Sequence, residues 1–456
     1  MSPARFKQIR RLLWIYFWLL ILEGALRKWV LPGLATPLLL VREPVALLAL
    51  LWGWPLLRKR RWQQWLQPLF AIGPLAFLLA ISVGHGDIFT ALYGLRLLVL
   101  QLPLIFLYAT VFNRADVISF AWVMLWLSIP MTVLLVLQSN QPDSHILNTG
   151  AGGLGSASFQ GSLGRSRPSA TFSFITGVVS FYSMAAASLL LLLYNVRITQ
   201  AGRLICILAG ISLVVALPVS ISRSLLAGYI MVVIAAVAAL VLARARLWPL
   251  FVSLISLTLA IFIATMIPAF QVTSEAFIAR WTDAGSQSGE ERADVGDTGV
   301  ALGQIQGRVL PGFTEPFERL GNAPILGHGI GMGSNVGAQR LGISNLELGE
   351  GGWDISFGEL GIVLGLLFVI WRIALSVWIL RLALQAAALG NQLPLILAGT
   401  SFLPLMSGQL NQPTGLGFIV LLGGLTLAAL NGSYPKSVIL RSSAPEPIGS
   451  SLGSTE

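Results

Sequence analysis

Three arginines lie between long apolar runs, Arg165 and Arg167 in the stretch GRSRPSATF at the end of a long polar loop and Arg223 in the short link SRS. A guanidinium binds phosphate oxygens through two parallel hydrogen bonds, and a diphosphate at a membrane surface would engage two or more of them. The charge pattern places all three on the outer side, against the tendency of basic residues to remain inside. Anchoring to lipid headgroups is the plainer reading of the same residues. The chain also carries Glu350, Asp354 and Glu359 at spacings of four and five, which puts Glu350 and Asp354 on one face if that segment is helical. A carboxylate beside a partly buried site acts as general base on a hydroxyl, or orients it by a hydrogen bond. Asp354 suits the N-cap of the helix that follows. Glu350 is open to either catalysis or simple solvation.

Other charges lie where they are costly. Arg42 and Glu43 fall inside the second apolar run and Arg96 inside the fourth, and a charge there costs about 2.5 to 3.5 kcal/mol on insertion scales. Mutual neutralisation accounts for them: Glu43 with Arg96 or with Arg42 makes an intramembrane ion pair. His328, in GHGIG, is one of three scattered histidines and belongs to no metal-ligand pattern. Its neighbours Gly327, Gly329, Gly331 and Gly333 suit close backbone packing or positive φ. The sequence lacks GxxxxGK[ST], HExxH and CxxC. Without a nucleotide site, any reaction draws on an already activated substrate or an ion gradient.

The elements that must position these residues are membrane spans. Of 456 residues, 55% are hydrophobic and 11% charged, with a mean hydropathy of +0.79. Soluble chains carry about 25% charge. The net charge of +10 is dispersed as short basic clusters beside apolar runs, a membrane-topology pattern rather than a nucleic-acid surface. About 12 spans are expected, with both termini cytoplasmic: nine within 1–270, three within 355–430, and a flexible cytoplasmic tail at 431–456. The basic N-terminus precedes an apolar run as in a signal peptide, but no small-residue cleavage site follows, so it reads as an uncleaved first span. Two outside loops interrupt the set, at 139–170 and 271–354. The second holds 11 of the 19 acidic residues, offset by Arg280, Arg292, Arg308, Arg319 and Arg340.

Four stretches, RPSATFSF, SRSLLAG, PILGHGIGMGSN and ELGIVLG, occur in an order that resembles the O-antigen ligase and polysaccharide polymerase superfamily of bacterial inner-membrane proteins. EGALRKW and LLLVREPV are similar to its exopolysaccharide-polymerase branch. The resemblance implies an all-α bundle of about 12 helices with a large periplasmic loop between spans nine and ten. It also implies transfer of a glycan from a polyprenyl diphosphate carrier to an acceptor hydroxyl on the periplasmic face. On that reading Arg223 and Arg167 hold the diphosphate, Arg280 or Arg319 assists, and Glu350 stands near the acceptor, with no metal or other cofactor. The ligases place a histidine about nine residues before the Glu of the ELG segment, where this chain has Glu350, which favours a polymerase over a lipid A-core ligase. The large loop then becomes a lid over a carrier-lipid site. Implied partners are the bilayer, the carrier-linked oligosaccharide, a flippase and a chain-length regulator, with no nucleic acid. The rival readings are a ligase acting on a lipid acceptor, a secondary transporter of a small anionic solute, and a scaffold for envelope assembly. The transporter lacks support from repeated halves, which the sequence does not show.

Overall fold

A computed structural model describes residues 2–142, 144–151, 167–245, 248, 311–318, 324–343 and 351–431. The chain is all-helical, with no strand among these residues. In chain order the α-helices are α1 (Pro3–Ala25), α2 (Glu43–Leu57), α3 (Arg60–Ser82), α4 (Ile88–Arg96), α5 (Leu104–Val111), α6 (Arg114–Ser139), α7 (Ile175–Asn195), α8 (Gln200–Val219), α9 (Arg223–Leu242), α10 (Pro311–Glu318), α11 (Asn335–Leu341), α12 (Gly352–Ala388), α13 (Leu393–Ser407) and α14 (Pro413–Ala428). Two π-turns, Leu26–Val30 and Leu97–Gln101, extend α1 and link α4 to α5.

Eight segments among the described residues are long and apolar enough to cross a bilayer: Pro37–Leu57, Arg60–Ser82, Ile88–Val111, Arg114–Ser139, Ile175–Asn195, Gln200–Val219, Arg223–Leu242 and Gly352–Ala388. The protein is a multi-pass membrane protein. Helices satisfy their own backbone groups, which hydrocarbon demands. Of the other expected spans, the first is helical but carries charges at both ends, and the ninth, 247–270, lies almost wholly outside the described residues. The last two, α13 and α14, are 15 and 16 residues long. At 1.5 Å per residue they reach only about 22 to 24 Å, against a hydrocarbon core of about 30 Å.

Hydrogen bonds gather the helix ends into two polar layers. At one end Arg10 pairs with Asp116, Arg114 reaches Asn391 (3.1 Å) and Asn195 (3.3 Å), and Asn431 bonds the carbonyls of Ala109 and Phe112 (both 2.8 Å). A reciprocal cap between Asn113 and Asp116 starts α6 there. The opposite end holds the π-turn of α1, the 167–174 segment, the start of α9 and the link between α13 and α14. Between the layers α13 packs against α12, α9, α14 and α7.

Because α13 stops short, its last carbonyls need partners from protein. Arg372 of α12, 1% exposed, donates to the carbonyls of Leu405 (3.0 Å), Pro404 (3.3 Å) and Gly408 (2.6 Å), and Trp353 Nε1 bonds the Met406 carbonyl (2.8 Å). A cation at a helix C-terminus also meets the negative end of its dipole. Arg372→Met is expected to strand these carbonyls at about 1 to 3 kcal/mol each. A clear drop in melting temperature in detergent checks this; a wild-type melting curve would remove Arg372 from the account.

Candidate functional site

Arg223 is the first residue of α9, reached from α8 through a reversal of only Ser220, Ile221 and Ser222. Ile221 sits at φ 48°, a left-handed conformation that a β-branched residue rarely adopts. Arg167 precedes Pro168, which holds it in extended backbone, and Ala170 beyond it sits at φ 49°. Each arginine is thus within three residues of a strained turn. The 167–174 segment is pressed onto α1: a Cβ on Gly24 would run into the Thr171 carbonyl and the Phe172 backbone. Phe172 is fully buried against Phe181 and Phe418, with ring centroids 5.9 and 5.7 Å away.

Arg167 and Arg223 line one cavity of about 410 Å³, together with Thr176 and Ser180 of α7, Gly408 and Gln409 after α13, and Gln412 and Gly415 at the start of α14. The N-terminal turns of α7, α9 and α14 all open on it, and their backbone N–H groups and dipoles favour an anion there. Gln412 is fixed by Thr176 Oγ1 (3.1 Å) and by its own bond to Gln409 (2.8 Å). Arg167 Nε is buried and has no hydrogen-bond partner among the described residues. An orphaned buried donor of this kind marks a place for an acceptor.

On the far side of the 408–412 link lies a smaller cavity of about 30 Å³, lined by Glu359, Asn411, Ser356 and Gly94. Glu359 accepts the Gly333 N–H (2.7 Å), and Asn411 donates to the Gly333 carbonyl. Gly327, Gly329 and Gly331 have φ of 80°, 113° and 94°. At Gly331 a Cβ would strike the Thr90 carbonyl, so the glycines serve both purposes read from the sequence. His328 takes part only through its backbone, with N–H to the Gly358 carbonyl (2.8 Å) and carbonyl to the His85 N–H (3.0 Å). The 324–343 segment therefore clamps the start of α4 against the Gly361 kink of α12, where φ is 77°. None of its described residues lines the larger cavity, so this part of the expected lid lies elsewhere.

Arg340 secures that clamp by reaching both oxygens of Asp87 (2.9 and 2.8 Å) and covering the Phe89 ring. Asp87 also caps α4 by accepting the Thr90 N–H at 2.7 Å. The Thr90 N–H first, and Arg340 after it, hold the Asp87 carboxyl down to about 2. A depressed carboxylate contributes stability above its unfolded value, 3.8, that is lost as pH falls through about 2. Proteolysis within 324–343 is expected to stay slow down to about pH 4 and to accelerate below it, with Arg340→Ala moving the onset upward. An onset unchanged by Arg340→Ala would rule the pair out as the latch.

Of the two intramembrane pairings open in the sequence, Glu43 with Arg96 or with Arg42, the structure has the first. Arg96 pairs with Glu43, and Gln101 Nε2 donates to the same carboxylate (2.6 Å). Arg42 does not pair with Glu43 and reaches it only through the Tyr16 hydroxyl, which donates to Gln101 Oε1. It binds Glu23 (2.7 Å), the Pro413 carbonyl (2.7 Å) and the Tyr16 hydroxyl (3.4 Å). Successive side chains at a helix start point about 100° apart, and here Arg42 and Glu43 each take a different charged partner. Asp354 is likewise displaced: Gly351 is the N-cap of α12, and Asp354, three residues on, accepts the Gly351 N–H (3.2 Å).

Glu350, Arg165, Arg280, Arg292, Arg308 and Arg319 lie outside the described residues. Sequence reasoning passed over Glu23, Arg27, Lys28 and Arg372 as site or core charges. The i,i+4 spacing of Glu23 and Arg27, and the isolated position of Arg372 inside an apolar run, were the available signals. Compared with known proteins, the chain matches no family model and no curated protein sequence.

Proposed function

We propose that the protein is a membrane glycosyltransferase of the polysaccharide polymerase type, moving a glycan from a polyprenyl diphosphate carrier to an acceptor sugar hydroxyl. The observation that carries this is the cavity shared by Arg167 and Arg223, with the Arg167 Nε buried and unmet. In the reaction the acceptor oxygen attacks the anomeric carbon and the bond from that carbon to the diphosphate oxygen breaks. The diphosphate leaves with the electron pair and gains one negative charge, which the two guanidinium groups and three helix N-termini stabilise. The hydroxyl proton passes to a base, for which Glu350 is the sequence-based candidate. Arg280 and Arg319 remain candidate helpers.

The layer containing Arg5, Lys7, Arg58, Lys59, Arg60, Arg61 and Arg197 is the more basic, which supports a cytoplasmic assignment for it and for both termini. The cavity then faces the periplasm of a bacterial inner membrane, in a bundle of about 12 spans, with a flippase and a chain-length regulator as partners. The resemblance noted in the sequence supports the same assignment.

The test is to incubate the purified protein in nanodiscs with polyprenyl diphosphate-linked repeat units and follow glycan length. A ladder supports polymerisation, and a single addition to a lipid acceptor supports the ligase. No transfer with any carrier-linked donor, together with anion uptake into proteoliposomes, overturns the reading in favour of a transporter.

A further inference from the structure

The stretch EGALRKW has no role in the glycosyl transfer itself, yet it contributes three buried charges. Glu23, Arg27 and Lys28 are 3%, 7% and 4% exposed. Glu23 is taken by Arg42, with Arg27 NH1 3.8 Å away on its other oxygen. Lys28 has no carboxylate among the described residues. Its ammonium is held by the Ser169 hydroxyl (2.5 Å) and the Ala170 carbonyl (3.1 Å). Burying an ammonium against two neutral acceptors is expensive, and an apolar side chain of the same length would fill the space without that cost.

What Lys28 holds is the strained turn beside Arg167. The Ala170 backbone is gripped on both sides by Gln138, whose Oε1 accepts its N–H (2.8 Å) and whose Nε2 donates to its carbonyl (3.2 Å). Arg27 adds a bond to Ser173 Oγ (2.9 Å) and another to the Ala35 carbonyl (2.7 Å). A non-glycine residue at positive φ persists only where its surroundings over-determine it, and here three side-chain hydrogen bonds from two other elements reach Ala170. Arg167, separated from Ala170 only by the rigid Pro168 and the pinned Ser169, inherits the resulting position.

We infer that Lys28 is a positioning residue for Arg167: it pins Ser169 and Ala170, and through them sets the guanidinium that lines the cavity. This rests on the reading of that cavity as a diphosphate site. Its signature is thermodynamic coupling, because a residue that acts only through Arg167 has nothing to act on once Arg167 is removed.

The experiment measures the affinity of farnesyl diphosphate for the full-length protein in nanodiscs, across Lys28→Met, Arg167→Ala and the double variant. Lys28→Met is expected to weaken binding about tenfold in the wild-type background and not at all in Arg167→Ala. Lys28→Arg, which keeps the charge, is expected to restore part of the loss. Equal weakening in both backgrounds, or none in a folded Lys28→Met, overturns the inference. Should Lys28→Met fail to fold, Ala170→Gly relaxes the same turn by removing one methyl, and additivity there overturns it equally. Binding weakened in Arg167→Ala but intact in Lys28→Met leaves the cavity reading standing and this one refuted. A wild-type protein that ignores the probe removes both.

Discussion

Arg223→Ala is expected to lower the initial rate of glycan elongation by about 10² to 10³-fold, the cost of removing one preorganised donor from developing negative charge, or about 2.7 to 4 kcal/mol. The loss should fall on the turnover rate more than on donor affinity, because in the proposed reaction the diphosphate gains charge as its bond to the sugar breaks. Arg223 opens α9 on the cavity it shares with Arg167 and two other helix N-termini, so the substrate's ground-state charge keeps other partners when it is removed. Arg223→Lys should recover part of the rate, since a point charge replaces a planar fork. Arg203→Ala, an exposed change in the first turn of α8, serves as the control and should elongate at the wild-type rate. Equal rates in Arg223→Ala and the control would take Arg223 out of the chemistry.

The second large effect is on folding. Arg42→Ala removes a guanidinium that is 2% exposed and bound to Glu23, Tyr16 and the Pro413 carbonyl, leaving Glu23 charged at 3% exposure. Breaking one side of a buried pair costs about 3 to 5 kcal/mol, a large part of the stability of most domains. The single variant should accumulate poorly and melt far below the wild type. Replacing both partners, as Glu23→Gln with Arg42→Met, should recover part of that loss, because the Glu23–Arg42 pair goes as a whole while Arg27 loses its 3.8 Å contact with Glu23. Thermal melting of the three proteins in one detergent decides the matter: a single variant as stable as wild type would show that Arg42 is held in place rather than holding. The fit is close, since a Cβ on Gly417 would collide with the same guanidinium.

Hydropathy located most helices within a few residues, because an apolar run bounded by basic clusters has few alternatives. Ile88–Val111 and Arg223–Leu242 nearly coincide with the apolar runs 88–112 and 225–242 of the sequence. Depth was harder to read. Two short apolar runs separated by GQLNQP look like two spans, and only the contacts of Arg372 with the α13 carbonyls reveal where the first one stops. Arg167 and Arg223 were candidates by residue type and expected topology, and that they line one cavity depends on α7, α9 and α14, which are not consecutive. The pairing of Arg42 with Glu23 was hidden for a related reason. Sequence proximity favours Glu43, whereas the helix start turns the neighbouring side chains apart.

The two π-turns sit beside the buried charges, and they set the phase of the chain beyond them. An α-helix places residues i and i+5 about 140° apart, whereas the wider π-turn brings them toward one face. Between α4 and α5 that shift lets Arg96 and Gln101 bind the two oxygens of one carboxylate, Glu43. After α1 the turn spans Arg27 and Lys28, and these consecutive side chains both reach the 169–173 backbone segment, at Ser173 and Ser169. Each turn amounts to one residue inserted into a regular helix. Deleting a residue from Leu97–Gln101 would restore α-helical phase at the price of rotating everything beyond it by about 100°, so the charge network and the packing of α5 are written into the same reading register.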